Sequence, residues 1–401
     1  MTLIDFASPA FWADPYASYR RLREEAPVHW SEQIQSWIVS RHADVFPALS
    51  DPRLSVAYTD WFFLGLPDDL LRRFEPFQRA LRTTIVFADP PQHDRMRGLL
   101  HKGFNPKFIE SFRQHATRLV DELMAQAVVN GQMDVRNRFA TLLPATALSE
   151  QIGADRPDVA QFASWGRRLL YFFGRLPNDI QLAEDTLAMY GEMTTYFRQL
   201  FERRRDDPHD TLLKSLLHPA RPEDELTEDE LIMTCMGFLV GGIETVSNLV
   251  CNMLVTFDRH PEELARLRRD PTLVPSAVEE VLRYESPVQV TFRLVKEELE
   301  MSGQRLVPGQ RVMLVLASAN RDPAAFPDPD RFDIGRQENR HLGFGYGRHF
   351  CTGAQLGRFQ GQAVMRAFYL QHAEVRVLEQ PVEWETNLVH RGPKTLSVAL
   401  A

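Results

Sequence analysis

Phe344-Gly345-Tyr346-Gly347-Arg348-His349-Phe350-Cys351-Thr352-Gly353, followed by the helix-forming Ala354-Gln355-Leu356-Gly357-Arg358, is the stretch on which the reading of this chain turns. One cysteine sits in a glycine-rich turn just ahead of a helix. Backbone N–H groups and the positive charge of Arg348 and His349 converge on its sulfur, a setting that favours the thiolate. Glycines at 345, 347 and 353 let the backbone come close to a flat, bulky group, and Phe344 offers an aromatic wall.

A thiolate in such a turn serves as a nucleophile, as half of a disulfide, or as an axial ligand to haem iron; a lone cysteine is otherwise an ordinary buried residue. The order F-G-x-G-x-H-x-C-x-G resembles the haem-binding signature of the cytochrome P-450 family at every fixed position. That resemblance implies that Cys351 ligates the iron, with Phe344, Gly345, Gly353 and His349 around the cofactor.

The bulk properties set the frame. The chain has 401 residues, a formal net charge of -8, 44% apolar and 25% charged residues, the profile of a folded protein with a large core. With no Gly/Ser linker, low-complexity tract or internal repeat to cut at, one domain over 1–401 is expected. The acidic balance and scattered basic residues speak against nucleic-acid binding. Met1-Thr2-Leu3-Ile4-Asp5-Phe6-Ala7-Ser8-Pro9 lacks a basic region followed by a long apolar stretch, so a cytoplasmic protein without signal peptide or membrane anchor is expected. Cys235, Cys251 and Cys351 are too few for a disulfide framework.

Apolar spacing at i, i+3, i+4 predicts helices over 115–129, 182–204, 227–257, 261–269, 275–284 and 352–371. Short strands are expected at 28–30, 36–39, 311–315 and 396–399, giving a mainly α fold with a minor β part. Between 320 and 344, Asp322-Pro323, Phe326-Pro327 and Asp328-Pro329 mark an ordered but irregular connection.

The long helix carries a second motif. Thr227 and Glu230 form a capping box at its start, and Asp258-Arg259-His260-Pro261 stops it. Leu231 to Ile243 is apolar but short for a membrane span, and Glu244, Asn248 and Asn252 follow. Gly241-Gly242-Ile243-Glu244-Thr245 pairs two poor helix formers with an acid and a hydroxyl, so the helix can open there to admit water or a diatomic ligand. This stretch is similar to the family's oxygen-binding motif, although Val246 stands where a second hydroxyl is common. The resemblance implies that Thr245 hydrogen-bonds the dioxygen being activated and that Glu244 feeds a proton relay.

Further segments match the family. Asp89-Pro90-Pro91-Gln92-His93-Asp94-Arg95-Met96-Arg97 puts His93 and Arg97 four apart on one helix face, and with Arg293 and His349 they are implied as partners of the haem propionates. His341 faces either a propionate or the surface. Glu280-Val281-Leu282-Arg283 looks like the family's E-x-x-R, with Arg331 expected as its third member. The implied fold is that of the P-450s, with the long helix over haem b and no bound flavin.

By the same analogy the substrate walls fall in 58–88, 165–180, the long helix before Glu244, 287–292 and 387–391. Trp61, Phe62, Phe63, Phe87, Tyr171, Phe172, Phe173 and Val240 make these apolar, as do Val288, Val290 and Val389. Gln289 and His390 add polar handles, so a hydrophobic small molecule fits. The expected activity is insertion of one oxygen atom from O2 into such a molecule, by hydroxylation or epoxidation, in secondary metabolism. The alternatives are a peroxygenase, desaturase or coupling enzyme on the same fold, and, further off, a haem sensor. Electrons are expected from a separate ferredoxin and ferredoxin reductase, docking on a basic face that includes Arg348, Arg358, His101 and Lys102, with the enzyme itself monomeric.

Overall fold

The computed structural model describes residues 3–155, 158–174, 179–206, 211–219 and 221–401. Met1 and Thr2 of the N-terminal reading, and 175–178 of the expected wall 165–180, lie outside the described residues. Contacts divide the chain into two compact units, one of Met1–Ser55, Val120–Ala140 and Thr245–Ala401, the other of Val56–Leu119 and Thr141–Glu244.

The first unit holds the sheets. Its five-stranded sheet runs Val28–Ser31, Ser36–Val39, Arg311–Leu314, Thr291–Val295, Leu54–Ser55. Its parallel pair, Ser36–Val39 with Arg311–Leu314, sets Ile38 against Met313. All four residues of Arg311–Leu314 are buried, as the central strand of a covered sheet requires. Thr291–Val295 lies antiparallel to it with Arg293 opposite Val312. Ser397–Leu400 forms a smaller sheet with Gln132–Asp134 and Val375–Val377.

Helix boundaries follow local chemistry. Pro261–Arg269 starts on a proline and ends in arginines, as expected from the sequence. Thr227 and Glu230 make both bonds of the capping box. The long helix continues to Arg259 but is not uniformly α, because Val240–Glu244 is a π turn where the two glycines sit. Among the described residues it is the one helix long and apolar enough to cross a membrane, and 72% of its most apolar window is buried in protein. The expected helix 115–129 is Pro106–Ala127. Asp68–Leu81, in the second unit, is a helix outside the segments expected from periodicity; it buries Leu70, Phe74, Phe77 and Leu81 and carries Pro76 inside it.

Glu280 and Arg283, on the helix Val274–Tyr284, have no exposed side-chain surface and meet in a two-pronged pair at 2.8 Å on each arm. Arg283 also donates to the carbonyls of Asn320, Pro329 and Arg331. Glu280 accepts from the Asp333 N–H, Asn339 and Arg336. The third cation of the network is therefore Arg336, not Arg331, which contributes its backbone and points its side chain outward. The spacing from Arg283 could not separate two arginines five apart on an irregular connection.

Removing one partner of a buried pair strands the other charge. Glu280→Gln is expected to lose about 3–5 kcal/mol of stability in urea unfolding. Arg336→Ala should be clearly destabilising and Arg331→Ala should stay within about 0.5 kcal/mol of wild type, as for a surface change; the reverse ranking would restore Arg331 as the third member.

Candidate active site

The cysteine loop is closed by its own backbone. Gly345 N–H donates to Leu342 O at 2.8 Å, Phe350 N–H to Gly347 O at 3.1 Å and Cys351 N–H to Phe344 O at 2.9 Å. At Gly347, φ is +72° and a Cβ would stand 3.0 Å from the Ser50 side chain, so only glycine fits without strain. Helix Ala354–Gln371 starts at Gly353, whose missing side chain leaves the Cys351 sulfur 4.0 Å from where a Cβ would stand. None of the three cysteines is in a disulfide. Cys235 and Cys251 are fully buried, and burial pushes the Cys235 thiol up to about 12. Cys351 is half-exposed at the foot of a helix, where a thiolate is favoured.

Behind the loop, Arg358 holds Glu279 through two bonds of 2.8 and 2.7 Å and lies over the Phe344 ring, 4.6 Å from its centre. His341 Nε2 is 3.1 Å from the same carboxylate, and Nδ1 accepts the Gly343 N–H at 3.0 Å. His341 is thus neither at the surface nor aimed at an anionic ligand: both its nitrogens are engaged within the protein. Two residues of the expected basic face are also compensated, Arg358 by Glu279 and Lys102 by Asp224 at 2.6 Å.

The other candidates fall in both units. In the first, Arg293 is buried at 4% exposure and donates to Phe292 O at 2.7 Å, Thr291 Oγ1 at 3.3 Å and Leu49 O at 3.4 Å, and His349 is half-buried. In the second, His93 and Arg97 share a face of the helix Gln92–Gly103; His93 is 2% exposed with Nδ1 3.0 Å from Asp94, and Arg97 Nε donates to His101 at 3.2 Å. Gly241, within the π turn, is exposed, and a Cβ there would meet nothing within 4 Å. Glu244 closes that turn and is buried; Thr245 opens the next α-helical segment, half-buried.

The expected walls separate likewise. Phe172 is wholly buried and packs against Phe62, Phe63, Phe74 and Phe77, so it belongs to the aromatic core of the second unit. Its neighbour Phe173 keeps accessible surface and touches Phe62 and Phe87. Phe87 is nearly buried and Val240 half-buried. In the first unit, Val288 bridges to His390 and Gln289 N–H donates to Val389 O at 2.7 Å, which joins the two polar-handled segments. Gln289, Val290 and His390 line a cavity of about 20 Å³ together with Phe6, Trp12 and Tyr19, room for a single water. Burial lowers the His390 pKa to about 3; the residue keeps some accessible surface, but its Nδ1 has none and has no hydrogen-bond partner. The imidazole there is neutral.

Sequence reasoning missed what holds these segments. Glu285 accepts from Arg391 at 2.6 Å and from the Tyr16 hydroxyl at 2.9 Å, and Arg391 donates to Trp12 O at 2.8 Å. Partners separated by 269 and 379 positions leave no periodic signal.

A family model for cytochrome P450 matches residues 71–398. This chain belongs to the cytochrome P450 family. Among similar proteins, the vitamin D(3) 25-hydroxylase of Pseudonocardia autotrophica is 34% identical over 99% of this chain and 96% of its own. The monooxygenase PikC of Streptomyces venezuelae is 35% identical over 97% and 91%. The solved structure of P450BioI with an acyl carrier protein ligated to hexadec-9Z-enoic acid has a TM-score of 0.91 at 29% identity, over 98% of this chain and 100% of that one. This P450 is an oxidoreductase, and membership implies haem.

The residues present fit that group. Cys351 offers a single sulfur on a backbone-closed loop, the kind of protein ligand that haem takes. A Cβ at Gly353 would stand 4.0 Å from the sulfur, in ordinary contact with it, and Arg293 is a buried cation of the kind a propionate needs.

Burial pushes the Glu279 carboxyl up, but hydrogen bonds from His341 and Arg358 outweigh it and hold it at about 2, below its ordinary 4.5. A depressed folded pKa adds stability that is complete above the unfolded value and fades as the pH falls through the folded one. The difference in urea midpoint between wild type and Glu279→Gln should therefore be full at pH 7 and shrink between about pH 4.5 and pH 2; a difference independent of pH would remove the ionised Glu279.

Proposed function

We propose that this P450 is a cytoplasmic monooxygenase, working as one catalytic domain over 1–401, that inserts one oxygen atom from O2 into a hydrophobic small molecule of secondary metabolism. The observation that carries it is Cys351: the one half-exposed cysteine of three, on a backbone-closed loop at a helix foot. Haem b held there supplies dioxygen reduction and transfer of a single oxygen atom to the substrate.

The chain's own residues do the rest. Cys351 ligates through its sulfur, and Phe344, Gly345 and Gly353 leave room for a flat group beside it. Arg293, His349, His93 and Arg97 offer donors to carboxylates of the cofactor. Gly241 opens the helix, the Thr245 hydroxyl donates a hydrogen bond to dioxygen, and the buried Glu244 passes protons toward it. Phe87, Phe173 and Val240 in the second unit, and Val288 and Val389 in the first, each offer apolar surface to a substrate, and the neutral His390 and Gln289 add two polar positions to the latter. The names of the relatives, one acting on vitamin D(3) and one bound to a fatty-acyl carrier protein, support a lipophilic substrate. Electrons come from a separate ferredoxin and ferredoxin reductase, and no flavin is bound.

Glu244 and Thr245 together favour oxygen activation over direct use of peroxide, since an acid and a hydroxyl beside an opened turn are what proton delivery needs. Desaturation or coupling would use the same residues and is distinguished by product.

The reduced, carbon-monoxide-bound spectrum tests the ligand: wild type is expected to show the long-wavelength thiolate band and Cys351→Ala to lose it. Wild type without that band would overturn the assignment. Thr245→Ala is expected to keep haem and substrate-induced spin shifts while diverting most electrons to hydrogen peroxide, because a hydroxyl that helps deliver the proton is gone. Full coupling in that variant would remove Thr245 from proton delivery.

A further inference from the structure

The Arg358–Glu279–His341 chain behind the cysteine loop serves none of the roles assigned above, yet it ends on the loop itself. Arg358 and Glu279 are partly covered, at 29% and 25% side-chain exposure, so water screens their charges less than at an open surface. The Arg358 guanidinium faces the Phe344 ring, and the Phe344 carbonyl accepts the Cys351 N–H. His341 Nδ1 lies 3.0 Å from the Gly343 N–H and its Nε2 3.1 Å from the Glu279 carboxylate, so the ring links the loop to that acid. A Cβ at Gly343 would stand 3.0 Å from His341 Nδ1 and 3.1 Å from Leu282 O, so the segment is held tightly against the helix Val274–Tyr284. Within it, Glu279 and Arg358 are one anion and one cation in direct contact.

We propose that Glu279 and Arg358 are opposed positioning residues for the Cys351 ligand, an anion and a cation whose balance, delivered through Phe344, sets the reduction potential of the bound haem. The proposal rests on the reading of Cys351 as the residue that would hold haem. Reduction adds one electron, and so one negative charge, to the haem and its thiolate. A nearby cation stabilises the reduced form and a nearby anion the oxidised form. Removing either charge exposes the other, so the two deletions act with opposite sign. A purely structural role gives no such opposition, because loosening the same loop from either side has the same effect on the sulfur.

The test is a spectroelectrochemical titration of substrate-free holoprotein, with the carbon-monoxide spectrum taken on the same samples. Glu279→Gln is expected to raise the potential, Arg358→Gln to lower it, and the double variant to return toward wild type. Shifts of the same sign in the two single variants, or none in either, overturn the proposal. Arg358→Lys keeps the charge but loses the two-pronged pair and the ring contact. It is expected to hold the wild-type potential at a lower unfolding temperature; a fall in its potential overturns the role of charge, and this holds even where Arg358→Gln does not take up haem. Wild type lacking the thiolate band would instead overturn the ligand assignment, which keeps the two failures apart.

Discussion

A carboxylate and a guanidinium with no accessible side-chain surface, Glu280 and Arg283, impose the constraint from which the arrangement of the cysteine loop follows. Each is unaffordable in a dry interior without its full set of hydrogen bonds. Satisfying them takes backbone and side chains from Asn320, Pro329, Arg331, Asp333, Arg336 and Asn339, which is to say most of the irregular connection. A stretch with no helix or strand of its own is thereby given a single path. That path ends at Leu342, whose N–H is taken by the Asn320 side chain, and from there the cysteine turn begins. The neighbouring Glu279 then fixes Arg358 and His341, so consecutive acids on one helix anchor both approaches to the loop.

Much of this was legible in the sequence, wherever the chemistry is local. A capping box, a proline-started helix and a run of glycines around a cysteine each state their geometry within a few residues. The family follows from the same local motifs. What was not legible depends on which of several equivalent groups the fold selects. Arg336 rather than Arg331 reaches Glu280, and no spacing rule distinguishes them on a connection without a period. Phe172 and Phe173 differ only by the side of the helix they occupy, and one lies in the core while the other keeps accessible surface.

Charge is where the two views diverge most. The sequence suggests a basic patch around the cysteine, but Arg358 and Lys102 are bound to carboxylates from distant positions. An arginine counted by type is a cation available to a partner; an arginine in a two-pronged pair over an aromatic ring is a structural element that happens to carry charge. The same holds at the N-terminal end, where Arg391 is spent on Glu285 and the carbonyls of Trp12 and Ala13 and so ties residues 387–391 to the first helices of the chain.

The π turn at Val240–Glu244 bears on how this helix can change over time. A π turn takes in one residue more than an α turn, and each residue of a helix advances its face by about 100°. Losing a single residue there would let the turn relax to α and keep the flanking faces where they are. The same loss a few positions later would swing every following side chain to a different side. Length changes in this helix are thus tolerable at one place and ruinous elsewhere, so the opening beside Gly241 is also the point at which the helix can absorb a mistake in register.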